Sequence, residues 1–349
     1  MKRILFFVFI FTCATGIAQI GGTSTYSFLK LAPSSRITGL GETNITIVDY
    51  DPTTQLSNPA SLNSKMSRQA HFSTVVYPGG VNYGNLGYVQ DFAKKGTYGI
   101  GLQYIAYGNI QATDEAGNVT GKVNASEFNL YGGGAYRFGK IFSVGANLKL
   151  VYSEFQSFRS FGMAADLAAT VNDTAHGIVA TIAAKNIGGQ LLSYTKGNHE
   201  PLPFDLQAGI SVGFKNFPIR FHLTLHDLHR WDIRYDNPAD TKSDNLFQDS
   251  SSSKPKKYIG DKIFRHVIFG AEINIKKVVF IDVAYNHQRR MEMVQTTRRS
   301  IAGFTIGLGV HVKQFSVGIA LSPMPLKQTL AHFTFVVNTG GFIKKHPKT

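Results

Sequence analysis

The stretch FSVGANLKLVY, residues 142–152, decides the fold. Phe142, Val144, Ala146, Leu148, Leu150 and Tyr152 alternate with Ser143, Gly145, Asn147 and Lys149. Successive side chains of a strand point to opposite faces, so this strand has one apolar or aromatic face and one small, polar or charged face. The pattern recurs in Phe204, Leu206, Ala208, Ile210, Val212 and Phe214 against Asp205, Gln207, Gly209, Ser211 and Gly213. It recurs in Phe217, Ile219, Phe221, Leu223 and Leu225 against Arg220, His222, Thr224 and His226, and in Ala302, Phe304, Ile306, Leu308 and Val310 against Gly303, Thr305, Gly307, Gly309 and His311. Such runs are about twice the five or six residues usual for soluble strands. Length and alternation together are the signature of an outer-membrane β-barrel.

Working outward, fourteen alternating segments fall at 68–77, 80–91, 97–107, 126–138, 140–153, 159–171, 174–187, 204–215, 217–228, 263–274, 277–287, 299–311, 313–321 and 327–337. Every second connection is short: 92–96, Gly139, 172–173, Asn216, 275–276 and Val312. The others are mostly longer: 108–125, 154–158, 188–203, 229–262, 288–298 and 322–326, with Pro78-Gly79 the one tight turn among them. An even strand number, short periplasmic turns and longer outside loops are the bacterial pattern. It predicts an all-β, antiparallel transmembrane barrel with both chain ends in the periplasm. A soluble β-sandwich also alternates, but it gives no reason for one loop polarity around fourteen long strands.

Composition agrees. The chain has 349 residues, 17% charged, 12% aromatic, with 35 glycines and a formal charge of +14. Charge this sparse argues against disorder. No apolar run of helical transmembrane length occurs beyond the N-terminus. Met1-Lys2-Arg3, the apolar run Ile4–Phe11 and small residues before Gln19 predict a secretory signal peptide over 1–18. Cys13, the only cysteine, lies within it. Thr12 before it is not the small residue that lipidation needs. The mature chain then has no disulfide and a charge of +12, with 34 basic and 22 acidic residues. Residues 19–67 do not alternate and are predicted to form a short-helical or irregular plug. Tyr26, Phe28 and Arg36 belong to it, and Asn58-Pro59 opens a turn with proline at the first helical position. The barrel follows over 68–338, and 339–349 is a basic tail.

Few residues offer chemistry. His222 and His226 share the inward face, two inward positions apart, too far for one metal ion. His226, His229 and Asp232 could ligate one only if the loop folded back; polar lining of a wet lumen is the simpler reading. No nucleophile elbow or carboxylate pair suggests catalysis, and no cofactor is expected. Gly132-Gly133-Gly134 and Gly99-x-Gly101 lie in strands, where phosphate cradling is excluded and close backbone approach is expected. Basic residues gather in long loops: Arg289, Arg290, Arg298 and Arg299, then Lys254, Lys256, Lys257 and Lys262. Export argues against nucleic acid, which leaves lipopolysaccharide or an acidic protein. Trp231, the only tryptophan, sits in His229-Arg230-Trp231-Asp232. It reads as an interfacial anchor or, beside Arg230, as a docking residue.

Ile20–Leu29, Pro33-Ser34-Ser35-Arg36, Gly39-Leu40-Gly41, Asn58-Pro59-Ala60 and the Arg230–Pro238 stretch resemble the PorQ family, outer-membrane components of the type IX secretion system of Bacteroidetes. The Pro-x-x-Arg and Asn-Pro-Ala elements also occur in PorV proteins and the wider FadL-like barrels. Gly41-Glu42 stands where the family often has a glycine pair. The resemblance implies a non-enzymatic scaffold that holds PorZ at the membrane, with PorU and PorV, for attachment of cargo to lipopolysaccharide. Trp231, Arg230, Tyr235, Arg289 and Arg290 are then the expected partner contacts. The rival expectation is a FadL-like transporter that binds a hydrophobic ligand near the plug and releases it laterally, although the inward face offers little apolar surface beyond Ile105 and Val151.

Overall fold

The computed structural model describes residues 24–234, 259–293, 301–324 and 328–342. The expected signal peptide, Tyr235, Arg298, Arg299 and the lysines at 254, 256 and 257 lie outside them. The strands are β1 (Gln69–Val76), β2 (Asn82–Asp91), β3 (Thr97–Thr113), β4 (Val119–Phe138), β5 (Phe142–Phe155), β6 (Phe158–Asp173) and β7 (Ile178–Leu192). They continue with β8 (Asp205–Phe214), β9 (Phe217–Leu225), β10 (Val267–Ile275), β11 (Val279–Asn286), β12 (Phe304–Val312), β13 (Phe315–Pro323) and β14 (Thr329–Asn338). Each pairs antiparallel with its chain neighbours, and β14 closes the ring on β1, from Gln69↔Asn338 to Val76↔Ala331. All fourteen predicted segments are strands of this one barrel. Its alternation sorts as expected: Leu148, Leu167, Phe221 and Ile306 are each at least half exposed on the outside, while Asn147, Asp166, Ser211 and Thr305 are buried inside. A ring has no unpaired edge, and its apolar outer face suits hydrocarbon.

The boundaries differ where alternation carries no signal. Most of 108–125 is not loop. The β3–β4 ladder continues through Asn109↔Asn124 to Thr113↔Val119, past an irregularity after Ala106, and turns at Asp114–Asn118. Both faces of that extension meet solvent, so no periodicity betrays it. The strands predicted to begin at 263 and 299 begin at Val267 and Phe304. Residues 259–265 form α1 (Ile259–Arg265), braced by Arg265 Nε on Asp261 Oδ2 at 2.8 Å. Ala302 is buried in the turn before β12 rather than on the outer face.

The end of the barrel that carries Gly139, Asn216 and the last described residues is termed the near end; the long loops form the far end. The N-terminal segment threads the lumen from far to near. The Thr25 amide donates to the Pro201 carbonyl in the far-end loop at 3.0 Å. A one-turn helix, α2 (Ser35–Gly39), packs on β11 to β14, with Thr38 Oγ1 2.7 Å from His332 Nδ1 and Thr305 Oγ1 donating to the Gly39 carbonyl at 2.9 Å. Asn58 caps the 3-10 turn Pro59–Ser61, accepting from the Ala60 amide at 2.9 Å, and donates to the Ile45 carbonyl and Thr170 Oγ1. The segment leaves at the near end, where Thr339 N donates to Arg68 O at 2.7 Å. The described start and end of the chain therefore lie at opposite ends of the barrel. The expectation that both chain ends lie in the periplasm concerns residues beyond these, outside the described ones.

Inward glycines are where this segment meets the wall. A Cβ on Gly39 would lie 2.9 Å from the Gly307 Cα, and one on Gly145 would overlap the Pro59 backbone.

Candidate functional site

Three regions of the molecule differ in chemistry, two in the lumen and one at its rim. The first surrounds Arg36. α2 is capped by Ser34, whose side chain accepts from Ile37 N, and it projects Arg36 toward the near half of the barrel. Arg36 Nη2 lies 2.7 Å and Nε 2.8 Å from Glu272 Oε2, Nη1 lies 2.7 Å from Asp49 and 3.6 Å from Asp51, and the guanidinium sits 4.7 Å from the Phe280 ring centre. One guanidinium thus gathers a wall carboxylate and two from its own segment, a match to its planar donor fork. A second buried pair, Lys149 and Asp166 at 2.7 Å, is completed by Asn186 Oδ1, 2.8 Å from Lys149 Nζ. Asn186 reaches it because the β6–β7 register shifts after Ala165, which turns both Lys185 and Asn186 inward.

The lumen is therefore more highly charged than expected. Basic residues gather in the long loops, yet Lys149, Asp166, Asp205, Glu272 and Asp282 are buried on inward strand positions. The signal was present, since Lys149, Asp205 and Arg220 fall in phase with the polar face of alternating stretches.

The second region is apolar and lies in the far half. Tyr26, Phe28 and Leu29 of the N-terminal segment pack against Val75, Tyr83, Ile105, Val151, Leu202 and Leu330. Of the predicted plug residues, Tyr26 and Phe28 are buried here, Arg36 at the ion cluster, and Asn58 and Pro59 near β5 and β6.

The third region is the base of the longest loop. Trp231 is 64% exposed and Arg230 is exposed beside it. Asp232 is braced by Arg234 Nη2 at 2.9 Å and Lys262 Nζ at 2.5 Å. The Arg234 hydrogen bond, helped by Lys262 and only partly opposed by burial, holds the Asp232 carboxyl well below the usual range. Arg289 corrects the expectation of a loop contact. It lies on α3 (His287–Glu292), is buried, and pairs with Glu42 of the N-terminal segment. It is drawn inward because the Asn286 side chain caps α3 by accepting from Arg289 N at 3.0 Å. Arg290 is half-buried against Gly303. Of the four expected contacts among the described residues, Trp231 and Arg230 are exposed, Arg290 is half-buried and Arg289 is buried.

The metal-ligand set considered from sequence is also not assembled, because Asp232 is taken by Arg234 and Lys262. Asp205, Asp227 and His229 instead place ligand atoms within 4.8 Å of one another, but Asp227 is already held by Lys30 at 2.9 Å and His226 at 3.1 Å.

No protein-family model matches the chain, and no curated protein matches it in sequence. Solved structures do match in fold. The toluene transporter TodX of Pseudomonas putida is 10% identical, with 88% of this chain and 97% of that chain covered at a TM-score of 0.51. A TodX deltaS2S3 mutant, a monoaromatic hydrocarbon channel, is 11% identical, with 87% and 97% covered at 0.50. A FadL homologue of Pseudomonas aeruginosa is 10% identical, with 88% and 99% covered at 0.49. The chain is a closed fourteen-stranded barrel whose fold resembles that of TodX.

Proposed function

We propose that this protein is an outer-membrane transporter for a small hydrophobic solute, with the near end in the periplasm. The observation that carries this reading is the apolar compartment in the far half of the lumen, the largest of the lumen's apolar clusters among the described residues. Tyr83, Ile105, Val151 and Leu330 wall it, and Phe28 and Leu29 fill it. Its polar surroundings make apolar lining there costly unless something apolar occupies it. In this reading the N-terminal segment occupies the solute's place and yields it on binding. The fold likeness to a toluene transporter and the short near-end turns support the same view.

Removing the Phe28 ring should vacate the compartment, because such truncations leave cavities that apolar ligands enter. Phe28→Ala in detergent is expected to bind N-phenyl-1-naphthylamine saturably and more tightly than the parent. Adding Ile105→Asp should abolish that binding. No saturable binding to either the parent or Phe28→Ala would remove this reading.

A second reading is favoured by Trp231. An exposed tryptophan beside Arg230, on a loop base fixed by two ion pairs, suits docking of a partner protein. It would make the chain a surface scaffold for PorZ, with PorU and PorV, as the PorQ-like resemblance implies. Deleting 230–258 should then leave a heat-modifiable barrel that no longer retains its partner; a deletion that still pulls the partner down counts against the scaffold.

A further inference from the structure

We propose that the barrel also holds a hydrated passage for ions and small hydrophilic solutes. It runs between the N-terminal segment and the β7–β10 wall and is closed where Ile45 and Thr46 meet that wall at Gly209 and His222. Two polar chambers lie along this wall. The far chamber, about 180 Å³, lies between Glu42–Ile45 and the side chains of Lys185, Gln207 and His226. Lys30, with a side chain 42% exposed, marks where it meets solvent. The near chamber, about 240 Å³, lies between Thr46–Asp49 and the side chains of Arg220, His222 and Glu272. It continues through Gly177, Arg220 and Asn274 into a near-end mouth of about 880 Å³ beside His176, Lys215 and Lys276.

Both chambers are built for water. Gln207 Oε1 and His226 Nε2 of the far chamber and His222 Nε2 of the near one are buried without a protein partner. Buried polar atoms require a partner, and a polar cavity of this size supplies it as water. The two chambers stack on the same strands. From far to near, β8 presents Gln207, Gly209 and Ser211, and the β9 side presents His226, Thr224 and His222. Ile45 and Thr46 interrupt them. Thr46 Oγ1 lies 2.8 Å from His222 Nδ1, and a Cβ on Gly209 would lie 2.8 Å from Thr46 Cγ2 and 3.0 Å from Ile45 Cγ1. Charges of both signs along the walls admit hydrophilic solutes and disfavour apolar ones. The wall of the apolar compartment is on other strands, β1–β3, β5, β6 and β14, while Leu29 of the N-terminal segment lines both it and the far chamber.

The test is conductance in planar bilayers in potassium chloride, with the parent, Thr46→Gly, His222→Ala and the double variant. The parent should stay near baseline, each single variant should conduct in brief openings, and the double variant should conduct several-fold more. Unchanged conductance in a double variant that still runs as a heat-modifiable barrel overturns the proposal. Cysteine labelling in proteoliposomes gives a second readout. In the parent background, a small charged methanethiosulfonate reagent added outside should label only one of Gln207→Cys and Val179→Cys. In the Thr46→Gly/His222→Ala background it should label both, while Ile105→Cys stays protected. If both chamber cysteines are as protected as Ile105→Cys in every background, there is no hydrated passage.

Discussion

Arg36 concentrates the energetics of the lumen. Its guanidinium serves Asp49, Asp51 and Glu272, and its side chain is only 13% exposed. Removing one member of a buried ion network leaves uncompensated charge, which costs about 3–5 kcal/mol. Arg36→Met is therefore expected to lower the unfolding free energy measured by urea titration by that amount. Arg36→Lys should recover little, because a point charge cannot replace two donors aimed at one carboxylate. A loss below about 1 kcal/mol would mean that the cluster behaves like a solvent-screened surface pair. Lys149 and Asp166, fully buried together, form a second such pair. Arg36 could be named from sequence only as part of a predicted plug. Its partners come from positions 13 to 236 residues away along the chain, and no local pattern links them.

At the scale of elements, strands were legible wherever one face meets lipid and the other the lumen. They were illegible where both faces are wet, as in the β3–β4 extension. The loop base was legible in composition but not in geometry. Trp231 is exposed at the loop base, whereas Arg289 turns inward where Asn286 caps α3. The Asp232 brace has a definite pH dependence. Its folded pKa is depressed, so the stabilisation is present above the ordinary carboxylate value and is lost only as pH falls through the lower folded value. Emission from Trp231, the single tryptophan, should be constant from about pH 8 to about pH 5 and change only below about pH 4. A transition near neutrality would place control with a group other than Asp232.

For the whole molecule, the N-terminal segment decides whether the barrel is filled or open. It crosses from Pro201 at the far end to Arg68 at the near end and supplies partners to the ion cluster, the apolar compartment and both polar chambers. A chain lacking 24–66 is expected to insert as a heat-modifiable barrel, since every strand-to-strand ladder lies outside the deletion. In planar bilayers it should show large, steady conductance, and a deleted barrel that stays closed would mean that loops seal it. The sequence by itself determined the strand count, the inside and outside faces, the unequal ends and a non-strand segment before β1. These follow from period-two alternation and turn residues, which act over a few neighbours. Only the tertiary structure decided the path of that segment, the charged clusters, the opposite placement of the described chain ends and the strands that wall the apolar compartment and the polar chambers. These depend on contacts between residues tens to hundreds of positions apart, where closure of the ring, not local preference, sets which side chains meet.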